Sequence, residues 1–168
     1  GGERARVSRL VSMEEAAVSP AIPDEITVSV VADQHDMDAA LSVRMRVFVE
    51  EQHVPIEEEV DRYDANPGAN PDVVHVLARA GGEPVATARL LLDHHEGYPH
   101  IGRVAVLADY RRTGVGRQVM DALHAEARAR GFEGITLSAQ THAVPFYERL
   151  GYVARGPVYL DAGIDHRD

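Results

Sequence analysis

A chain of 168 residues is long enough for one domain with a substantial core, and its 45% apolar and 26% charged residues are typical of a globular protein. The formal net charge of −10 argues against a nucleic-acid binder, because phosphate contacts need a basic surface. The absence of cysteine excludes disulfides, thiolate zinc sites and an acyl-cysteine intermediate. No apolar run approaches the roughly 20 residues of a membrane span, so we expect a cytoplasmic protein without a membrane partner.

The first half of the chain is predicted to hold a strand, a helix and an irregular acidic segment. Residues 1–24 mix charged and small side chains and are interpreted as an N-terminal extension, which leaves 25–168 as a single domain. Alternating β-branched residues predict a strand over 26–31, and apolar residues at helical spacing predict a helix over about 36–49. Residues 50–70 are irregular and acidic.

The rest of the chain predicts strands that alternate with two helices. The turn at 81–83 is a hairpin signal that joins two antiparallel strands. A long amphipathic helix begins after Gly114 and ends before Gly131, and Pro145 and Gly151 bound a shorter helix. The predicted strands are 73–80, 84–92, 101–107, 134–139, 152–153 and 158–160. This order predicts an α/β architecture with a mixed sheet.

The stretch from Arg103 to Arg117 carries the strongest chemical signal in the chain. An apolar strand is followed by a polar turn, and Gly114 and Gly116 stand where the long helix begins. A helix N-terminus presents unpaired backbone N–H groups, so this volume suits a pyrophosphate. The spacing matches neither the Walker pattern nor the dinucleotide fingerprint, because Gly-Lys-Ser/Thr and the third glycine are both missing. Spacing alone leaves open a tight turn followed by close helix packing.

The Arg-x-x-Gly-x-Gly pattern, in which Arg111 precedes the two glycines, resembles the acetyl-CoA motif of the GNAT superfamily of N-acetyltransferases. Residues 137–152 resemble the next strand of that family and its Phe-Tyr-x-x-x-Gly-aromatic helix. Gln140 stands in this region, where many relatives place Asn and the ElaA-like branch places Gln. The match therefore extends over two consecutive units of the predicted sheet.

Two further stretches resemble the ElaA/YjcF-like branch of this family. Residues 43–55 are similar to its Arg-x-x-Val-Phe-Val-x-Glu-Gln segment, and residues 159–166 to its C-terminal Leu-Asp/Glu-x-Gly-Ile-Pro-His. Asp165 replaces the proline of that last motif. The resemblance covers about residues 26–168, with four separated motifs in the same order.

The resemblance implies the GNAT (acyl-CoA N-acyltransferase) fold, an α/β fold with a mixed, mostly antiparallel central sheet flanked by helices. It also implies acetyl-CoA as the cofactor, with pantetheine along the strand and pyrophosphate on the glycine loop. The cofactor-binding residues that it implies are Val104, Ala105, Val106, Arg111, Arg112, Thr113, Gly114, Val115, Gly116, Arg117, Gln140, Ala143 and Phe146.

The implied reaction is direct attack of a neutral amine, from a small molecule or a peptide, on the thioester carbonyl in a ternary complex. A main-chain N–H near Val106 is expected to polarise that carbonyl. By match, Tyr147 donates a proton to the departing thiolate. A core aromatic with its hydroxyl at the surface is the alternative for this tyrosine.

The acceptor side of the site is less determined. Glu50, Glu51 and the run Glu57–Glu59 are candidate general bases, although a solvated acidic loop is the simpler interpretation. Arg44, Glu51 and Gln52 are candidates for the acceptor pocket, or they pair with each other. His142 is a candidate substrate contact and proton carrier.

Metal binding is not expected, because His94, His95 and His100 lack carboxylates or cysteines at matching spacing, and a solvated loop is the default. A homodimer is left open. Two alternatives to the N-acetyltransferase also stay open: an acyl-homoserine-lactone-synthase-like enzyme, which shares an N-terminal Arg…Phe pattern, and a CoA-binding sensor without catalysis.

Overall fold

The computed structural model describes residues 25–93, 97–155 and 159–163. Parts of the predictions lie outside the described residues, namely the extension over 1–24, His94, His95, position 158 of the last strand, and Asp165. The strands are β1 (Ile26–Val30), β2 (Val73–Ala80), β3 (Glu83–Leu91), β4 (His100–Val106), β5 (Gly134–Ser138), β6 (Val153–Arg155) and β7 (Tyr159–Gly163). The α-helices are α1 (Gln34–Arg44), α2 (Ile56–Glu59), α3 (Val115–Ala129) and α4 (Val144–Arg149).

The seven strands of the described residues form one sheet in the order β1-β2-β3-β4-β5-β7-β6. All neighbouring strands are antiparallel except β4 and β5, which confirms the predicted mixed, mostly antiparallel sheet. The parallel pairing of β4 with β5 has only two residue pairs, His100–Thr136 and Ile101–Leu137. Beyond Ile101 the two strands separate, so the sheet is split at its centre.

The first helix changes its winding halfway along. Asp33 caps α1, since its carboxylate accepts a hydrogen bond from the Asp36 N–H at 2.9 Å. From Met45 to Glu51 the chain continues as a π-helical segment. The helix predicted over about 36–49 is therefore confirmed in position, whereas its second half has a wider turn. Such segments are frequent at functional sites.

Helices cover the two faces of the sheet, because successive strand residues point to opposite sides. The predicted apolar stripe of α3 is confirmed, because its four side chains are 0–1% exposed: Val115, Val119, Leu123 and Ala127. They pack in one core cluster with Val74, Val76 and Ala78 of β2. On the other face, Met37 and Ala40 of α1 pack against Leu77. Each large apolar side chain buried in this way contributes about 1.5–3 kcal/mol.

The segment predicted as irregular over 50–70 contains ordered elements. It holds α2 and a 3₁₀ turn at Arg62–Asp64, which Asp61 caps by accepting a hydrogen bond from the Tyr63 N–H. Within the described ranges, no helix combines the length and the apolar character that crossing a bilayer requires.

Candidate active site

Among the described residues, no strand pairs with the β5-side edge of β4 from Gly102 to Val106, because β4 and β5 have separated there. Backbone N–H and C=O groups at such an edge need hydrogen-bond partners when they are withdrawn from water. An extended ligand with amide groups can supply them as a neighbouring strand would. The geometry therefore offers a groove for an elongated, amide-bearing molecule along β4.

A cavity of about 240 Å³ lies at this split. Its walls come from the π-helical segment and the residue after it, from β4, from the end of β5 and from α4. The lining residues are Phe48, Gln52, Ile101, Gly102, Arg103, Val104, Leu137, Ser138, Ala139, Gln140, His142, Ala143 and Tyr147. The structure thus brings the predicted Gln52, Val104, Gln140, His142, Ala143 and Tyr147 to one cavity.

A β-bulge shapes the β4 wall of the cavity. Thr87 of β3 pairs with Ala105, but Arg89 pairs with Gly102, so Arg103 and Val104 together face one residue of β3. Arg103 has a φ of +51°, a left-handed conformation that is uncommon for a residue other than glycine. A bulge leaves its extra residue out of the ladder and bends the strand. Backbone groups of β4 are therefore available at the cavity.

Two residues predicted beside Val104 have different surroundings. Ala105 is 1% exposed and packs with Val43 and Val47 on the α1 side of the sheet, so only its main chain can serve a ligand in the split. The carbonyl of Val106 accepts a hydrogen bond from the Arg111 Nε at 2.9 Å. Val106, which was predicted to polarise the thioester carbonyl, does not line the cavity. The β4 residues of the bulge that line it are Arg103 and Val104, which come earlier in the strand.

The glycine loop, residues 111–117, wraps the N-terminus of α3. Gly114 is the N-cap of this helix and has a φ of +93°, which side-chain-bearing residues rarely adopt. A Cβ built on Gly114 would meet no atom within 4 Å, whereas one on Gly116 would lie 3.3 Å from the Phe146 ring. The space in front of Gly114 is thus open to a ligand, and Gly116 lets α3 approach α4.

The same loop is electropositive. The first N–H groups of a helix have no carbonyl acceptor within the helix and carry the positive end of its dipole. The side chains of Arg112, Thr113 and Arg117 are exposed around this end, and Arg112 has a φ of +67°. Together these groups form a cradle that fits an anion such as a diphosphate.

Arg111 holds the glycine loop in place. Besides its bond to Val106, its Nη2 donates to the Glu51 Oε1 at 2.6 Å, so one guanidinium joins the loop to the end of β4 and to the π-helical segment. The alternative that Arg44 pairs with Glu51 and Gln52 is wrong, because the carboxylate of Glu51 faces Arg111. Arg111 therefore supports the loop through its neighbours.

Tyr147 is buried beside the cavity and remains protonated. Its side chain packs edge-on against Phe146, with ring centroids 5.0 Å apart, and against Tyr152, at 5.9 Å. Burial raises the pKa of Tyr147 to about 12. At neutral pH this phenol can donate a hydrogen bond or a proton but has no charge of its own.

Buried ion pairs form the floor behind the acceptor side. Arg44 is 1% exposed, and its guanidinium donates to Glu59 Oε2 at 2.8 Å and to both carboxylate oxygens of Asp64, at 2.7 and 3.0 Å. Arg89 binds Asp61 through two nitrogens, at 2.7 and 2.8 Å. The interpretation of Glu59 as part of a solvated run is therefore wrong, and Arg44 lies too deep to contact an acceptor.

Two carboxylates of this cluster, Asp61 and Asp64, remain ionised because they are paired. Burial by itself would raise the pKa of the Asp64 carboxyl, but hydrogen bonds and charge from Arg44 lower it below its ordinary value. Asp61 behaves in the same way beside Arg89. His75 borders the cluster, and burial lowers its pKa, so its neutral ring donates through Nε2 to the Tyr63 carbonyl at 2.8 Å.

The sequence did not predict the ion-pair cluster or several of the cavity residues, among them Phe48, Arg103 and Ser138. Phe48 belongs to the motif over 43–55, which was a signal for the acceptor side. The ion pairs join positions up to 44 residues apart, and no local spacing marks them. His100, by contrast, lies within β4, where its Nδ1 is 3.0 Å from the Thr136 hydroxyl.

Known proteins resemble both this sequence and this geometry. Residues 27–168 match the family model described as an acetyltransferase (GNAT) domain. Over 135 residues the chain is 38% identical to the uncharacterized N-acetyltransferase YjcF of Bacillus subtilis. This match covers 80% of this chain and 91% of YjcF.

Solved structures confirm the predicted fold. ElaA of Escherichia coli superposes with a TM-score of 0.70 and 26% identity, over 82% of this chain and 99% of ElaA. The PaiA N-acetyltransferase of Thermoplasma acidophilum, solved in complex with coenzyme A, shares the fold with a TM-score of 0.69 and 11% identity, over 83% of this chain and 99% of that protein.

Proposed function

Because the chain belongs to the GNAT family of acetyltransferases, in the ElaA/YjcF-like branch that its motifs predict, we propose that it transfers an acetyl group from acetyl-CoA directly to an amine. The split between β4 and β5 carries this proposal, because its strand β4 borders the cavity with the protonated Tyr147 and leads directly into the loop of Gly114. The acceptor is a small-molecule or peptide amine.

The residues of the split fit acetyl-CoA. The open space at Gly114 and the N-terminus of α3 suit the diphosphate, and the unpaired edge of β4 suits the amides of pantetheine. Gln140 and Ala143 border the inner end of this path. Acetyl-CoA supplies an activated thioester, whose carbonyl carbon accepts the amine and whose thiolate leaves.

The side chains of the cavity divide the proton transfers between them. We assign to Tyr147 the donation of a proton to the leaving sulfur, and the burial that keeps its phenol protonated supports this role. Of the carboxylates predicted as bases, Glu51 is paired with Arg111 and Glu59 is buried in the ion-pair cluster. His142 lines the cavity and is exposed, so we assign to it the proton that the attacking amine loses.

The direct test is thiol release from acetyl-CoA over a panel of small amines and one peptide amine. Amine-dependent thiol release with an acetylated product supports the proposal. Tight binding of acetyl-CoA without turnover of any amine would instead indicate a CoA-binding sensor. Preference for a longer acyl-CoA over acetyl-CoA as the donor would indicate the acyl-homoserine-lactone-synthase-like alternative.

A further inference from the structure

The bulge in β4 places an arginine where the backbone favours glycine. A bulge whose first residue is left-handed usually carries glycine there, because a Cβ strains that conformation. Arg103 occupies the position with a φ of +51°. Such strain persists only where the surrounding structure holds it. The side chain of Arg103 is the obvious candidate for what holds it.

The guanidinium of Arg103 is clamped to the segment that begins with α2. Its Nη2 donates to the Glu59 carbonyl at 3.1 Å and lies 3.4 Å from the Glu58 carbonyl and from Asp61 Oδ2. Its Nε lies 3.1 Å from Glu59 Oε2 and makes an ion pair without an aligned hydrogen bond. Four contacts therefore fix one side chain against 58–61.

The clamp is itself anchored in the core. Arg44 holds Glu59, and Arg89 holds Asp61, so the cluster matches the guanidinium groups of Arg44, Arg89 and Arg103 with the carboxylates of Glu59, Asp61 and Asp64. The side chains of Arg44 and Arg89 are 1% and 5% exposed. Paired charges at this depth have one favourable arrangement, because any displacement leaves a buried charge uncompensated.

We propose that Arg103 is a positioning residue whose clamped guanidinium holds the β4 bulge so that its main chain faces the reacting carbonyl. Arg103 and Val104 line the cavity together with Tyr147, so the bulge and the proton donor border the same volume. The proposal rests on the function proposed above. A preorganised N–H directed at a developing oxyanion accelerates acyl transfer, and a displacement of about 1 Å costs about 10²-fold in rate.

Substitutions at Arg103 separate the clamp from the backbone strain. Arg103→Ala removes the clamp and keeps the strain, whereas Arg103→Gly removes the clamp and permits the left-handed conformation. We expect both variants to lose about 10²-fold in kcat, with the KM for acetyl-CoA changed less than about threefold. Arg79→Ala is the control, because it removes an arginine–carboxylate pair with Asp36 that lies outside the cavity.

A spectroscopic signature distinguishes positioning from a general loss of structure. The carbonyl stretch of carbonyl-¹³C acetyl-CoA bound to the wild-type protein should lie below its value in water, because a directed N–H weakens the C=O bond. In both Arg103 variants it should return towards the value in water. Arg103→Lys, which keeps the charge without the planar fork, should give an intermediate kcat if the other variants do not fold.

Two results would overturn the proposal. One is an Arg103→Gly variant with wild-type kcat and a wild-type carbonyl frequency. The other is a folded Arg103→Lys variant that is as active as the wild type. Failure of the proposed function has a different signature: the wild-type protein turns over no amine, while its bound thioester still shows a frequency shift that depends on Arg103 and so supports the clamp.

Discussion

The two sides of the candidate site, a cofactor wall and an acceptor wall, are held in place by different groups. The cofactor wall consists of backbone: the unpaired edge of β4, the glycine loop and the N-terminus of α3. The acceptor wall, from the π-helical segment to the 3₁₀ turn, is held by buried side-chain charges such as Arg44 and Asp64. A larger side chain blocks binding at a wall made of backbone, whereas the removal of one partner of an ion pair destabilises a wall held by buried charges. The two walls therefore respond to different substitutions.

The largest effect is expected on the cofactor wall, from Gly114→Val. The valine side chain would fill the open space in front of the helix and strain a φ of +93°, so binding of coenzyme A should fall below detection by calorimetry. Gly131→Val is the matched control, because its φ is +85° and its Cβ would also meet no atom within 4 Å. Equal loss of binding in both variants would mean that strain alone, and no phosphate site, explains the effect.

Tyr147→Phe should have the next largest effect, on the chemical step. We expect kcat to fall by about 10²–10⁴-fold with little change in the affinity for acetyl-CoA, because only the proton donor is removed. The loss should be constant between pH 6 and about 9, since the pKa of Tyr147 is raised to about 12. Tyr98→Phe is the control, because Tyr98 is 47% exposed and does not line the cavity. Full activity of Tyr147→Phe would show that Tyr147 packs in the core and does not donate a proton.

On the acceptor wall, Arg44→Met should destabilise the protein by about 3–5 kcal/mol, because Glu59 and Asp64 would each lose the buried guanidinium that they contact most closely. Urea unfolding measures the difference. The control is Arg79→Met, which breaks a pair that is about 20% exposed on both sides and should cost about 1 kcal/mol or less. A similar loss of unfolding free energy in the two variants would show that the buried cluster stabilises the protein no more than a surface ion pair does.

The smallest effect is a pH dependence of stability with two windows. Burial lowers the pKa of His75 in the folded protein. As pH falls below about 6.5, the unfolded chain therefore takes up a proton on His75 more readily than the folded chain does, and stability is lost. The pKa values of Asp61 and Asp64 are also lowered, so their contribution is complete above about 4 and is lost as pH falls further. Urea unfolding of His75→Gln should lack the first window and keep the second, and an unchanged profile would contradict the assignment to His75.

The sequence predicted the cofactor wall in more detail than the acceptor wall, for a physical reason. The strand, the loop and α3 are contiguous, so Gly114, Gly116 and the apolar stripe of α3 appear as one local pattern. The structure adds the short register of β4 and β5, whose two residue pairs define the split of the sheet. Local periodicity is sufficient to predict such elements, because the apolar residues of each element recur at a regular spacing and form one buried face.

The acceptor wall depends on contacts between distant parts of the chain. Arg44 meets Asp64 across 20 residues, and Arg103 meets Asp61 across 42. A run of acidic residues gives no sign of which carboxylate is buried, so Glu59 could not be distinguished from its exposed neighbours. The π-helical winding that directs Glu51 to Arg111 also has no marker in the hydrophobic pattern. Only the folded chain selects these partners.

A crystal structure of the protein with coenzyme A is the most direct test of the proposed site. We expect the diphosphate on the N–H groups around Gly114, pantetheine along the open edge of β4, and the thiol in the cavity beside Tyr147. A diphosphate bound elsewhere, or a β4–β5 ladder that continues beyond Ile101 and closes the split, would contradict it.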